Sequence, residues 1–170
     1  MRTLYPEIEP FKQYELTFDS LHSLYLEECG NPQGIPVVFL HGGPGSGCNE
    51  NHRRYFDPDK YRIILFDQRG CNRSRPQGGV ENNTTHKLIE DLETIRLHLN
   101  IDKWLVYGGS WGVTLGLLYA ESFPECVLGM ILRGAFLARQ QDLDWFSKEG
   151  ANRIFPDYWQ DFIDCIPVSE

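Results

Sequence analysis

The chain has 170 residues, of which 41% are hydrophobic and 24% charged, a composition typical of a folded domain with a hydrophobic core. Its formal net charge of −8 disfavours nucleic acid and anionic membrane surfaces as partners, because both are negatively charged. No apolar run reaches the roughly 18 residues of a membrane span. The first ten residues lack the apolar segment of a secretory signal, and the five cysteines form no CxxC pair. We therefore expect free thiols and a cytoplasmic location.

The N-terminal part of the sequence predicts a β-hairpin. Apolar side chains alternate over 14–18, an Asp-Ser turn follows at 19–20, and apolar residues resume at 24–26. Short continuous apolar runs come next, and such runs are typical of strands buried on both faces of a parallel sheet. These runs lie at 36–40, 61–66, 105–107 and 127–132.

Helical patterns separate the apolar runs. Leucine and isoleucine residues spaced by 4, 3 and 4 predict a helix over 85–100, and residues 111–123 predict a second helix that ends before a proline. Strands that alternate with helices predict an α/β protein with a mostly parallel, doubly wound sheet. After residue 136 the strand pattern stops, and short aromatic-rich helices are predicted at 142–150 and 157–163. We expect a core over 1–136 and the start of a helical insertion over 137–170.

Residues 108–112, with the sequence GGSWG, fit the G-x-S-x-G pattern between a predicted strand and a predicted helix. Small residues two positions before and after the serine let the strand and the helix approach closely, which lifts the hydroxyl clear of the sheet. The helix N-terminus beneath it favours developing negative charge. Ser110 is therefore the candidate nucleophile. The alternative is a glycine-rich turn with a capping serine.

The sequence HGGPG at 41–45 directly follows a predicted strand. Glycines there allow backbone N–H groups to point into a site and to form half of an oxyanion hole, with the other half from the Trp111 N–H. His41 as general base is disfavoured, because hydrolases with this serine turn carry the base late in the chain. We expect His41 and Gly42 to shape the loop, with His41 holding it by hydrogen bonds.

The third motif is DQRGCNRS at 67–74, at the end of the next predicted strand. The carboxyl ends of parallel strands are where sites form in such sheets. We favour Asp67 and Arg69 as residues that tie loops together, with direct substrate contact as the alternative. Cys71 is predicted to be the most reactive thiol, because arginines flank it in a loop. A dinucleotide site is disfavoured, since the glycine spacing is wrong and Pro44 intrudes.

Together with LRGAF near residue 134, these three motifs resemble the prolyl aminopeptidases, also called proline iminopeptidases, serine peptidases with the α/β-hydrolase fold. The resemblance implies release of N-terminal proline from a peptide substrate by a Ser-Asp-His triad, with no cofactor and no metal, under a helical cap. It makes Ser110 the nucleophile, and Gly43 and Trp111 the oxyanion donors. It implies that Phe136 and Phe146 bind the substrate. Oligomeric state is not predicted.

All five histidines precede Ser110, whereas the family's Asp and His lie well beyond residue 170. The resemblance therefore implies the N-terminal part of a longer enzyme, truncated before the last strands and inactive by itself. Another esterase or amidase of this fold, or a non-catalytic truncated product, remains an alternative. Epoxide hydrolases and dehalogenases are disfavoured, because they need an aspartate where this chain has Ser110. Asn72 stands where the family usually has glycine.

Overall fold

The computed structural model describes residues 4–166, so residues 1–3 and 167–170, at the ends of the two predicted segments, lie outside the described residues. The chain forms two compact units that divide between Ala135 and Phe136. The first unit holds the strands described below, and the second holds short helices. The interpretation of the second unit as a cap stays a prediction. Among the described residues, no helix combines the length and hydropathy of a membrane span.

Six strands of the described range form one mixed sheet with the order β1-β2-β4-β3-β5-β6. The first two strands form the predicted antiparallel hairpin, and β2 is also antiparallel to β4. The three remaining pairs, β3 with β4, β3 with β5 and β5 with β6, are parallel, which confirms the predicted mostly parallel sheet. The strands are β1 (Lys12–Thr17), β2 (Ser23–Gly30), β3 (Ile35–Leu40), β4 (Tyr61–Phe66), β5 (Trp104–Gly109) and β6 (Val127–Arg133).

Helices α1 (Thr85–His98) and α2 (Trp111–Ser122) pack on one face of this sheet. The side chain of Thr84 caps α1 by accepting the Lys87 N–H, and a 3₁₀ turn at Pro124–Cys126 follows α2. The predicted apolar stripe of α1 is buried against the sheet at Leu88, Leu92, Ile95 and Leu99. Each such burial stabilises the fold by about 1.5–3 kcal/mol.

The opposite face of the sheet packs against the segment that contains a 3₁₀ helix, Glu50–Tyr55. Alternate residues of β3 and β4 point to this face, among them Phe39 and Leu65, while their neighbours point towards α1 and α2. The sheet is therefore covered on both faces, by α1 and α2 on one face and by the segment with the 3₁₀ helix on the other. This arrangement leaves the carboxyl ends of β3, β4 and β5 at one edge, where the three motifs lie.

The second unit consists of short helices: α3 (Gln140–Asp144), a π-helical turn (Trp145–Glu149), α4 (Ala151–Ile154) and α5 (Pro156–Asp164). The helix predicted over 142–150 corresponds to the continuous helical stretch 140–149, which changes from α to π geometry at Trp145. Gly150 packs against the ring of Trp145, where a Cβ would collide. Pro156 starts α5 at a position that needs no N–H donor. Most large apolar side chains described in this unit are exposed.

The two outer strands of the described sheet differ in how they are protected. Strand β1 exposes Lys12, Gln13 and Glu15, whereas β6 exposes Leu128 and Ile131, which retain 52% and 47% of their accessible surface. Apart from Arg133 at its end, β6 carries no charge or proline, and an apolar outer strand of this kind is a template for pairing with another chain.

We predict that a polypeptide of residues 1–170 self-associates in size-exclusion chromatography with light scattering. The matched variant Leu128→Lys/Ile131→Lys is expected to shift the population towards monomer, because charged side chains on an edge strand oppose intermolecular pairing. A monodisperse unsubstituted monomer with a cooperative melting transition would show that this edge is protected.

Candidate active site

Ser110 lies on the turn between β5 and α2, with φ 54° and ψ −120°. This backbone region is unfavourable for residues with a side chain and is held in place only by surrounding contacts. The Ser110 N–H donates to the Arg133 carbonyl at 3.1 Å, and the Ser110 carbonyl accepts from the Val113 N–H at 2.8 Å. The side chain is exposed and makes no capping hydrogen bond. The turn therefore presents a free hydroxyl at the first turn of a helix.

Two glycines allow this turn to form. A Cβ atom at Gly108 would collide with the carbonyl group of Gly112, and one at Gly112 would collide with the Leu40 carbonyl oxygen. The close approach of α2 to strands β5 and β3 thus requires glycine at both positions of the motif. It also places the positive end of the α2 dipole at Ser110, where it favours an anion.

The HGGPG loop reaches the same turn. An ideal Cβ at Gly42 would lie 3.1 Å from the Gly109 carbonyl oxygen and 3.4 Å from the Ser110 Cβ, so the loop backbone passes directly beside the nucleophile turn. Gly43 follows with φ 111°, a conformation that favours glycine. A hollow of about 250 Å³ in the first unit is lined by both segments, including Gly43, Ser110, His52 and Arg133. The structure thus brings Ser110, Trp111, Gly42 and Gly43 together.

His41 is buried, and both of its ring nitrogens contact backbone groups. Nε2 accepts from the Gln68 N–H at 3.0 Å, and Nδ1 lies 3.0 Å from the Gly42 carbonyl oxygen and 3.2 Å from the Gly47 nitrogen. A neutral ring can accept at only one nitrogen, and the shorter N–H contact, at Nε2, favours the tautomer whose Nδ1 proton is donated to Gly42. Burial lowers the pKa of the imidazole, which keeps it neutral. This is the geometry of a residue that holds a loop, not of a base for Ser110.

His52, which sequence reasoning did not select, lines the hollow beside Ser110. Its ring stacks on Phe39 at 4.4 Å, and its Nδ1 accepts from the Asn49 N–H at 3.1 Å. The proton of the neutral ring is therefore on Nε2, which makes that nitrogen a donor. Burial also lowers the pKa of His52. In this state the ring shapes the hollow and offers no acceptor to the serine hydroxyl.

Asp67 is fully buried at the end of β4 and bonds to two loops. Its carboxylate accepts from the Cys48 N–H at 2.6 Å and from Arg73 Nε at 2.7 Å. Arg69 is buried as well and forms a two-pronged ion pair with Asp91 of α1, both N–O distances being 2.7 Å. Asp67 therefore joins the loop after β3 to the loop after β4, and Arg69 anchors the latter to α1.

The expectation that Cys71 is the most reactive thiol is wrong. Cys71 is buried, its Sγ lies 3.3 Å from the Arg69 carbonyl oxygen, and burial raises the pKa of its thiol to about 11. The flanking arginine charges are directed to Asp91 and Asp67 and not to the sulfur. Of the five cysteines, Cys165 is the exposed one.

A family model described as the alpha/beta hydrolase fold matches residues 35–163. The chain belongs to the alpha/beta hydrolase fold family. It is 55% identical over all 170 residues to the proline iminopeptidase of Xylella fastidiosa and 53% identical over 169 residues to that of Arabidopsis thaliana. These alignments cover 54% and 44% of the two relatives, so the chain spans about half the length of the curated relatives it matches.

Solved structures agree with this family assignment. The proline iminopeptidase-related protein of Thermus thermophilus has a TM-score of 0.61 and 28% sequence identity to this alpha/beta hydrolase. The match covers 71% of this chain and 43% of that protein. The resemblance found in the sequence motifs is thus confirmed at the level of fold and relatives.

Sequence reasoning missed Gln68, although it lies inside the third motif. Gln68 is buried, and its side-chain amide donates to the His41 carbonyl oxygen at 3.0 Å and accepts from Trp111 Nε1 at 3.1 Å. It therefore connects all three motifs. A polar residue between Asp67 and Arg69 at a strand end was the only signal in the sequence, and it identifies no partner.

The two aromatic residues that the resemblance assigns to substrate binding lie in the second unit. Phe136 is its first residue and is partly buried. Phe146 is 78% exposed and lines an aromatic hollow of about 410 Å³ within that unit, together with Phe155, Tyr158, Trp159 and Phe162. Phe136 lies outside the lining of this hollow, so a shared substrate pocket for the two rings stays a prediction.

Proposed function

We propose that this chain is the nucleophile-bearing, N-terminal part of a serine aminopeptidase that releases N-terminal proline from peptides. The observation that carries the proposal is the free Ser110 hydroxyl, held on a strained turn at the N-terminus of α2 and next to the Gly42–Gly43 backbone. The substrate class rests on the identity of 48–55% to relatives named proline iminopeptidase. The chain's own contacts support two steps of the reaction: the attack by the serine and the stabilisation of the oxyanion.

In this mechanism the Ser110 oxygen attacks the carbonyl carbon of the N-terminal proline. A bond forms between these two atoms, and the carbonyl oxygen becomes an oxyanion that accepts hydrogen bonds from the Gly43 and Trp111 N–H groups. Loss of one such donor typically costs about 3 kcal/mol of transition-state stabilisation. The tetrahedral intermediate then expels the amine of the remaining peptide and leaves a prolyl ester on Ser110. Water hydrolyses this ester to free proline.

The general base is proposed to be a histidine beyond residue 170, oriented by an aspartate that also lies there. It takes the proton of Ser110 and then donates it to the leaving amine. Both histidines near Ser110 support this assignment, since His41 and His52 each use the acceptor nitrogen of the neutral ring for a backbone N–H. Residues 137–166 are proposed to begin the cap, and Phe136 and Phe146 to contact the proline ring.

We also propose a cytoplasmic location for the enzyme. Each of the five cysteines is a free thiol, and four are buried, which suits a reducing compartment. The formal charge of −8 disfavours nucleic acid as a partner.

The test is an assay of the full-length protein on Pro-Gly-Gly, with Ala-Gly-Gly and N-acetyl-Pro-Gly-Gly as matched controls. We expect release of free proline from the first peptide and little cleavage of the other two. A polypeptide of residues 1–170 is expected to show no turnover, because it carries no base for Ser110. Hydrolysis of simple esters without cleavage of Pro-Gly-Gly would instead identify another esterase or amidase of this fold.

A further inference from the structure

The side chain of Gln68 lies between the two segments that supply the candidate oxyanion donors. Its Nε2 donates to the carbonyl oxygen of His41, the first residue of the HGGPG loop, at 3.0 Å. Its Oε1 accepts from the indole Nε1 of Trp111, the first residue of α2, at 3.1 Å. The backbone N–H of Gln68 adds a third bond, to His41 Nε2 at 3.0 Å. One residue thus contacts both segments.

The Gln68 amide satisfies both side-chain contacts at once. The His41 carbonyl oxygen can only accept and the Trp111 indole nitrogen can only donate, so the bridging group must offer a donor and an acceptor at once. A carboxylate would face the carbonyl with a second acceptor, and an apolar side chain would leave both partners unpaired. Gln68 is 1% exposed, so water has little access to replace a lost bond.

We infer that Gln68 is a positioning residue that sets the separation between the Gly43 and Trp111 N–H groups, an inference that rests on the proposed function. Gly43 is two residues beyond the His41 carbonyl that Gln68 binds, and the Trp111 N–H belongs to the residue whose indole it binds. Oxyanion donors act only when they lie about 2.7–3.1 Å from the developing charge. A displacement of about 1 Å costs on the order of 100-fold in rate.

The experiment compares the full-length wild type with Gln68→Met and with the matched control Gln77→Met, which makes the same change at an exposed position of the same loop. The measured quantities are kcat and KM on a proline arylamide, the affinity for a boronic acid analogue of proline, and the affinity for prolinol. The boronate forms a tetrahedral adduct with the serine and occupies the oxyanion hole, whereas prolinol has no carbonyl group.

For Gln68→Met we expect kcat and boronate affinity to fall by a similar factor, roughly 10- to 100-fold, because both depend on the placement of the donors. KM and prolinol affinity should stay within about twofold, since ground-state contacts are kept. Gln77→Met should match the wild type. Equal losses in all of these quantities would indicate a purely structural role and overturn the inference. An unchanged kcat would overturn it as well.

Trp111→Phe provides a second variant if Gln68→Met fails to fold. It removes the indole donor while it keeps the backbone N–H, and it should move kcat and boronate affinity in the same direction. The double variant is expected to lose less than the product of the two single losses, because both changes break one shared bond. Fully multiplicative losses would contradict the bridge.

The activity and the labelling of the wild type distinguish a failure of this inference from a failure of the proposed function. If the wild type does not cleave proline arylamides, the substrate assignment fails, and the rate of Ser110 phosphonylation by a fluorophosphonate takes the place of kcat. That reaction also places an oxygen in the oxyanion hole, so Gln68→Met should slow it by a similar factor. A wild type that is neither active nor labelled at Ser110 overturns both claims.

Discussion

Replacement of Ser110 by alanine is expected to reduce proline release by the full-length protein by at least about 10⁴-fold. The reason is that covalent catalysis depends on the one hydroxyl, and removal of the nucleophile in comparable serine hydrolases costs about that much or more. Stability should change by less than about 0.5 kcal/mol, since the hydroxyl is exposed and makes no capping bond. Steady-state kinetics and a thermal melt measure the two effects.

The matched control for this prediction is Ser122→Ala, at the other end of α2. Its hydroxyl donates to the Leu118 carbonyl and lies about 18 Å along the helix from Ser110. This variant should retain wild-type activity. A Ser110→Ala protein that kept more than a few per cent of the activity would remove Ser110 from the role of nucleophile.

Replacement of Arg69 by methionine is expected to lower the free energy of unfolding of the full-length protein by about 3–5 kcal/mol. Arg69 and Asp91 are 4% and 1% exposed, so the variant leaves a carboxylate in the interior without its counter-ion. Burial already raises the pKa of Asp91, and the Arg69 guanidinium opposes that rise. Urea denaturation monitored by tryptophan fluorescence measures the change in the free energy of unfolding.

Two further variants test whether the loss of stability comes from the unpaired buried charge. Arg69→Met/Asp91→Leu should recover most of the loss, because the buried carboxylate is gone and the other partner of Arg69, Asp19, is 34% exposed and keeps its bonds to the Leu21 and His22 N–H groups. Lys87→Met removes an exposed ion pair with Glu90 on the same helix and should cost less than about 0.5 kcal/mol. A single Arg69→Met variant that lost less than about 1 kcal/mol would show that the buried pair is not required for stability.

Much of the first unit followed from the sequence, because its strands and long helices carry patterns that depend on local periodicity. The run at 61–66 matched a strand with the same bounds, and the 4, 3, 4 spacing of α1 marked the face that is buried. Glycine spacing around Ser110 was equally informative, since the backbone contacts there exclude any side chain at Gly108 and Gly112.

The parts that sequence reasoning missed depend on contacts between distant segments. Gln68 owes its place to His41 and Trp111, which lie 27 and 43 positions away. The error on Cys71 has the same cause: nearby arginines suggested an activated thiol, but their guanidinium groups bind buried aspartates in other elements. In the second unit, the sequence placed a helix over 142–150 but gave no sign that the helix changes from α to π geometry at Trp145.

The most direct test of the central claim is to locate covalent labelling by a fluorophosphonate in the full-length protein. After reaction with the probe, tandem mass spectrometry of the digest identifies the modified residue. Our account predicts one adduct, on the Ser110 hydroxyl, and its absence from the Ser110→Ala variant and from wild type pre-incubated with the proline boronate. An adduct on another residue, or a wild type that is active on Pro-Gly-Gly without labelling at Ser110, would contradict the account.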